Sequence, residues 1–138
     1  MSVHSSIGGK LGLSRVRSDR EIAQLVEKGL PVSTIRSLIR AGLSDAEVYS
    51  LIVPRRTLAH RRASHQPLSK DESDKAVRVA RIAALAEDAF RDPARAWGWL
   101  RKPKRRFEGK TPIEMLATEA GARLVEEMIV QFEYGMVA

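Results

Sequence analysis

Two groups of residues in this chain have types and spacing suited to recognition chemistry. The first is Arg55-Arg56-Thr57-Leu58-Ala59-His60-Arg61-Arg62. A guanidinium presents a planar fork of donors that matches guanine edges and phosphate oxygens, and Thr57 and His60 can add contacts to bases or phosphates. The second is Glu133-Tyr134-Gly135-Met136-Val137-Ala138, an aromatic residue followed by a mostly apolar tail. Termini tend to be disordered, so such side chains are expected there only if the tail packs against something. Bond-making chemistry has no comparable support. Cysteine is absent, which removes thiol nucleophiles, thiolate metal sites and disulfides. His4, His60 and His65 are too few and too poorly spaced for a metal site. Gly8-Gly9-Lys10 lacks the spacing and the preceding strand of a phosphate loop. Glu126 and Glu127 are adjacent on a helix and do not converge. An enzyme is therefore not expected, nor is a bound cofactor or metal.

A polyanionic partner fits the charge. The 138 residues carry a net +7, of which +6 falls in residues 1–65 and +1 in residues 66–138. A basic surface of this kind attracts phosphate backbones through charge and counterion release, and a merely solvated arginine-rich surface is the plainer reading. No apolar run approaches the length of a membrane span, and the first residues lack the apolar core of a signal peptide, so a cytoplasmic protein is expected.

Helices must position these residues. Ser18-x-x-Glu21, Ser44-x-x-Glu47 and Ser69-x-x-Glu72 have capping-box spacing, Thr111-Pro112-x-Glu114 adds a proline at the first helical position, and Asp92-Pro93 is a further start. The pattern predicts an all-α protein, a small helical bundle with helices near 19–28, 32–41, 44–52, 54–64, 70–91, 93–101, 112–117 and 119–133. Gly29 and Gly42 are plausible stops. The longest helix carries an apolar stripe of Ala76, Val79, Ala83, Ala86 and Phe90. Residues 1–17, with Gly8, Gly9 and Gly12, read as a flexible arm. Helix 44–52, the tight turn at Val53-Pro54 and helix 54–64 have helix-turn-helix organisation, with Leu58 packing inward and Arg55, Arg56, Arg61 and Arg62 on exposed faces. In the last helix Leu124, Val125, Met128, Ile129 and Phe132 make a broad apolar face. Trp97, Leu100, Ile113, Leu116, Leu124, Val125 and Met128 are expected core residues.

The C-terminal block resembles the toxin-binding domain of the Xre/MbcA/ParS antitoxin family. The resemblance rests on Trp97-Gly98-Trp99-Leu100, Gly109-Lys110-Thr111-Pro112, Gly121 and Phe132-Glu133-Tyr134-Gly135. Residues 44–64 are similar to the Xre-type helix-turn-helix that precedes it. The likeness implies a helix-turn-helix domain over 18–68 and a helical toxin-binding domain over 69–138 containing the long helix 70–91. It also implies a cognate RES-type toxin acting on NAD, whose active-site cleft would be covered by Glu133, Tyr134, Gly135, Met136, Val137 and Ala138. The terminal carboxylate would then meet cations that hold NAD phosphates. Operator DNA would be bound through Arg55, Arg56, Thr57, His60, Arg61 and Arg62, repressing the operon. A homodimer or a larger assembly with toxin is expected. The loop Lys102-Pro103-Lys104-Arg105-Arg106-Phe107 is more basic than in relatives, and it either adds a DNA or toxin contact or stands as a solvated loop. The competing function is a helix-turn-helix regulator with no toxin partner.

Overall fold

In the computed structural model the described residues are 3–14 and 16–135, and among them there are nine α-helices, one 3-10 turn and no strand. The order is α1 (Val3–Lys10), α2 (Asp19–Lys28), α3 (Ser33–Ala41), α4 (Asp45–Leu51), α5 (Arg55–Ala63), α6 (Lys70–Phe90), α7 (Pro93–Leu100), the 3-10 turn Arg105–Phe107, α8 (Pro112–Met115) and α9 (Glu119–Glu133). The protein is all-α, as the capping pattern implies. Two compact units divide between Ala80 and Arg81, within α6. The domain boundary expected at 68/69 lies twelve residues earlier, at the start of that helix. The difference arises because the N-terminal part of α6 belongs to the first unit, where the Ser73 hydroxyl accepts a hydrogen bond from the Leu30 N–H at 2.8 Å.

Helix starts follow the caps. Ser18 accepts from the Glu21 N–H, and Ser44 with Glu47 and Thr111 with Glu114 form complete reciprocal boxes. Each satisfies backbone donors that the first turn would otherwise leave unpaired. Gly29 and Gly42 follow α2 and α3 as C-caps. On α6, Ala76, Val79, Ala80, Ile82, Ala83 and Ala86 are buried, the pair Asp71–Lys75 at 3.0 Å lies on the outer face, and Asp74 pairs at 3.8 Å with an Arg78 side chain that is only 10% exposed.

The expected flexible arm over residues 1–17 is corrected. Val3–Lys10 form a helix, and Ile7, Leu11 and Val16 are buried in an apolar cluster with Leu25 and Leu30. Ile7 and Leu11 lie four apart and share a helix face. Gly8 brings its backbone close to Val16, where a Cβ would stand 3.0 Å from the valine side chain. The glycines that lower intrinsic helix propensity thus accompany tertiary packing that outweighs it. Additional ties are a hydrogen bond between His4 and Asp19 at 2.8 Å and packing of α1 against α3.

Candidate functional site

The α4–α5 pair is built from the inside outward. Ser44 Oγ accepts from the Glu47 N–H at 3.2 Å, and Glu47 Oε1 accepts from the Ser44 N–H at 2.8 Å. Val48, Leu51, Ile52 and Val53 are buried, and the Val53 N–H donates to the Val48 carbonyl at 3.1 Å, closing the turn. Pro54, expected at the first helical position, occupies the N-cap of α5, and the helix begins one residue later at Arg55. Such a one-residue offset is ordinary at helix ends. Leu58 is the buried residue of α5 and anchors it. Arg55, Arg56, His60 and Arg62 are exposed and Thr57 is half-buried, so these five can reach a ligand.

Arg61 departs from the expected exposed set. Its Nε donates to Glu72 Oε1 at 2.7 Å and its Nη2 to Glu72 Oε2 at 3.1 Å. Glu72, only 8% exposed, also accepts from the Ser69 N–H at 2.8 Å. Burial alone would push the Glu72 carboxyl up. The Arg61 hydrogen bond and charge, with the Ser69 bonds, outweigh that and hold it below its ordinary value. Arg61 therefore fastens α5 to the start of α6. The sequence signal Ser69-x-x-Glu72 reveals the cap but not this second use of the carboxylate. An open cleft of about 500 Å³ lies beside this clamp, lined by Gly29, Pro31, Val32, Arg62, His65 and Pro67 among others.

In the second unit the motif residues act chiefly as framework. Thr111 N–H donates to Glu114 Oε1 at 3.0 Å and Glu114 N–H to Thr111 Oγ1 at 3.1 Å, and these bonds hold the Glu114 carboxyl below its ordinary value. Pro112 and Ile113 are buried. Thr118 Oγ1 accepts from the Gly121 N–H at 2.9 Å. A Cβ at Gly121 would overlap the Met115 carbonyl oxygen, so the missing side chain is what lets the backbone at the end of α8 meet α9. Gly109, with φ of 87°, closes the loop after Trp99 by donating its N–H to the Lys104 carbonyl at 3.0 Å. Trp99 is half-buried, 5.6 Å from the Phe90 ring, and Phe90 stacks on Phe132 at 4.5 Å. Trp97 donates from Nε1 to Glu87 at 3.0 Å.

The apolar face expected on α9 is narrower than its sequence pattern. Val125, Met128 and Ile129 are buried, whereas Leu124, Val130 and Phe132 are exposed and Tyr134 is 74% exposed. Leu124 was an expected core residue, but it lies outside the buried i, i+3, i+4 row of Val125, Met128 and Ile129. Glu133 and Gly135 are exposed as well. Met136, Val137 and Ala138 lie outside the described residues. Among the described residues no group of carboxylates and histidines could hold a metal ion, and no helix is long and apolar enough to cross a membrane.

A helix-turn-helix displaying exposed arginines, followed by a small helical unit whose last helix leaves aromatic and aliphatic side chains uncovered, defines a DNA-binding protein with a protein-partner surface. Comparison with known families agrees. Residues 21–81 match the antitoxin Xre-like helix-turn-helix domain, and residues 85–135 match the antitoxin Xre/MbcA/ParS C-terminal toxin-binding domain. The chain is 39% identical over 125 residues to an antitoxin Xre of Pseudomonas putida, covering 91% of this chain and 79% of that one. It is 29% identical to an antitoxin Xre of Yersinia enterocolitica over 80% of this chain and 77% of that one. It is 26% identical to a Prs ADP-ribosylating antitoxin of a Sphingobium species, over 83% and 79% respectively. The chain belongs to the Xre family of antitoxins, with a helix-turn-helix domain and a toxin-binding domain.

Proposed function

We propose that this antitoxin neutralises a RES-type, NAD-consuming toxin by seating the segment from Glu133 onward in the toxin's active-site cleft, and that it represses its own operon through α4 and α5. The observation that carries the first half is the end of α9. Tyr134 is the most exposed large apolar side chain among the described residues, and Leu124, Val130 and Phe132 on the same helix are uncovered too. Val130 and Tyr134, four residues apart, share one exposed face at the end of the helix, which suits contact with a protein partner. An aromatic anchor entering a concave pocket is the usual source of binding energy. The Sphingobium relative, a Prs ADP-ribosylating antitoxin, lends support to a toxin that uses ADP-ribosyl chemistry.

The second half draws on Arg55, Arg56, Thr57, His60 and Arg62 as the DNA-facing set, with Arg61 supporting them from behind. On this reading the protein works in the cytoplasm as at least a homodimer, since helix-turn-helix proteins read paired half-sites.

Co-expression tests the occlusion. The toxin alone should deplete NAD and stop growth, and the full-length antitoxin should restore both. A version lacking residues 134–138 should fold, bind operator and fail to rescue. Full rescue by that version would refute occlusion by the terminal segment, and would place the neutralising contacts elsewhere on the second unit.

A further inference from the structure

The stretch Arg101–Lys110 holds Arg101, Lys102, Lys104, Arg105, Arg106 and Lys110 against a single acid, Glu108. It contributes a net +5 to a half of the chain whose total is +1, so charge in that half is segregated rather than mixed. We propose that this loop is a second phosphate-contact surface, by which the toxin-binding unit itself grips the backbone of duplex DNA without regard to sequence.

The loop is a closed bracket rather than a loose connection. Lys104 N–H donates to the Lys110 carbonyl at 3.0 Å, Gly109 N–H to the Lys104 carbonyl at 3.0 Å, and Lys110 N–H to the Phe107 carbonyl at 3.1 Å. Phe107 is buried and pins the 3-10 turn from below. Three cations are fixed by neighbours: the Arg101 guanidinium lies 5.0 Å from the centre of the Trp97 ring, the Lys104 ammonium 4.7 Å from the centre of the Trp99 ring, and Arg106 Nη1 donates to Gln131 at 3.0 Å. Lys102, Arg105 and Lys110 are exposed, and among the described residues none of them forms a close ion pair with a carboxylate, Lys110 acting on Glu114 through its charge alone. Burial, and then the charge of Lys102, pull the Lys104 ammonium below its ordinary value. Burial is the larger cause and the neighbouring Lys102 charge the smaller, so like charge contributes to the shift without dominating it.

A phosphate backbone suits this surface better than a protein does. Protein interfaces are depleted in lysine and need an apolar centre. Here the one large apolar side chain of the loop, Phe107, is buried, while the uncovered apolar groups of the unit sit on α9. The loop offers charge and rigidity without base-reading geometry, so its contribution is to affinity and not to sequence choice.

The test uses the full-length protein with Lys102, Arg105 and Lys110 each replaced by Gln, leaving the anchored Lys104 and Arg106 in place. Affinity for an operator duplex and for an unrelated duplex is measured across salt concentrations. Each lost phosphate contact should reduce the slope of log K against log salt by about 0.9, so the triple variant should lose about two to three units of slope. Both duplexes should weaken by the same factor, with toxin affinity and melting temperature unchanged. An unchanged slope overturns the proposal, and so does a loss confined to toxin affinity, which would make the loop a protein contact. A parallel variant, Arg55→Ala with Arg56→Ala, keeps the two ideas separable. It should erase preference for the operator while leaving the loop's salt-dependent share intact. Retained preference in that variant would refute the role of α5 without touching the loop. Absence of binding to either duplex at low salt would overturn both.

Discussion

Removing either partner of the Arg61–Glu72 clamp should unseat α5 from the start of α6. The two bonds measure 2.7 and 3.1 Å, and the side chains are 22% and 11% exposed. Breaking a fully buried pair by deleting one partner costs about 3–5 kcal/mol, whereas a surface pair is worth about 0–1 kcal/mol. This pair lies nearer the buried limit but retains some water, which places Arg61→Ala at about 2–3 kcal/mol. Glu72→Ala should cost about 1 kcal/mol more, because the Ser69 N–H also loses its acceptor. The diagnostic is the double replacement Arg61→Met with Glu72→Leu. Apolar groups of similar size avoid the uncompensated charge, so the double change should destabilise less than the sum of Arg61→Met and Glu72→Leu made singly, by about 2 kcal/mol. Urea denaturation followed by circular dichroism, run as a double-mutant cycle, reads this directly. Arg62→Ala on the same helix, exposed to solvent, should stay within about 0.5 kcal/mol of the parent. If the single changes add to within about 0.5 kcal/mol, or if Arg61→Ala is as mild as Arg62→Ala, the clamp does not hold α5 and Arg61 reverts to the DNA-facing set.

Other expectations follow from single positions. Gly121→Ala should destabilise by about 1–3 kcal/mol, since its Cβ meets the Met115 carbonyl. Gly98→Ala on α7 has nothing within 4 Å of the new Cβ and should be stabilising by about 0.5–1 kcal/mol; equal effects from the two in thermal melts would contradict the close approach at Gly121. Leu58→Ala should cost about 2–4 kcal/mol and lose operator binding in step with folding, because Leu58 is the buried anchor of α5. Acid sensitivity should trace partly to Glu72. Its folded value lies below 4.5, so its contribution is complete above the unfolded value and is lost as pH falls through the folded one. Stability measured from pH 6 downward should therefore decline less steeply below about pH 4.5 in Glu72→Gln than in the parent.

Local chemistry made most of the helices legible. Ser44, Ser69, Thr111 and Thr118 each state a starting point through a hydroxyl three residues before the donor it satisfies. The expected spans for α2 through α9 accordingly fall within about two residues of those observed. Features set by distant partners were hidden. Helix α1 is glycine-rich, and its burial depends on Val16, Leu25 and Leu30, which periodicity over eight residues cannot announce. Arg61 looks like its neighbours in sequence, and only the placement of Glu72 beside it takes it out of the contact set. The face of α9 was overdrawn for a related reason. Apolar periodicity identifies a stripe, but how much of it is covered depends on what else packs there: Leu124 lies at its edge, and Phe132 continues the row of Val125, Met128 and Ile129 close to the helix end, where it stacks on Phe90 and stays partly exposed.

On the proposed reading the arginines of α5 have two separable uses, and the distinction bears on how the motif should be dissected. Replacing Arg55, Arg56, Arg61 and Arg62 together with alanine would remove DNA contacts and unfasten the helix that carries them, so a null result could not be assigned to either. Replacing Arg55, Arg56 and Arg62 while keeping Arg61 isolates the contacts. The chain so altered should retain its denaturation midpoint and rescue cells from toxin, yet lose operator binding. Loss of toxin rescue in that variant would mean that α5 also serves the toxin-binding function, and the assignment of the two activities to separate elements would fail.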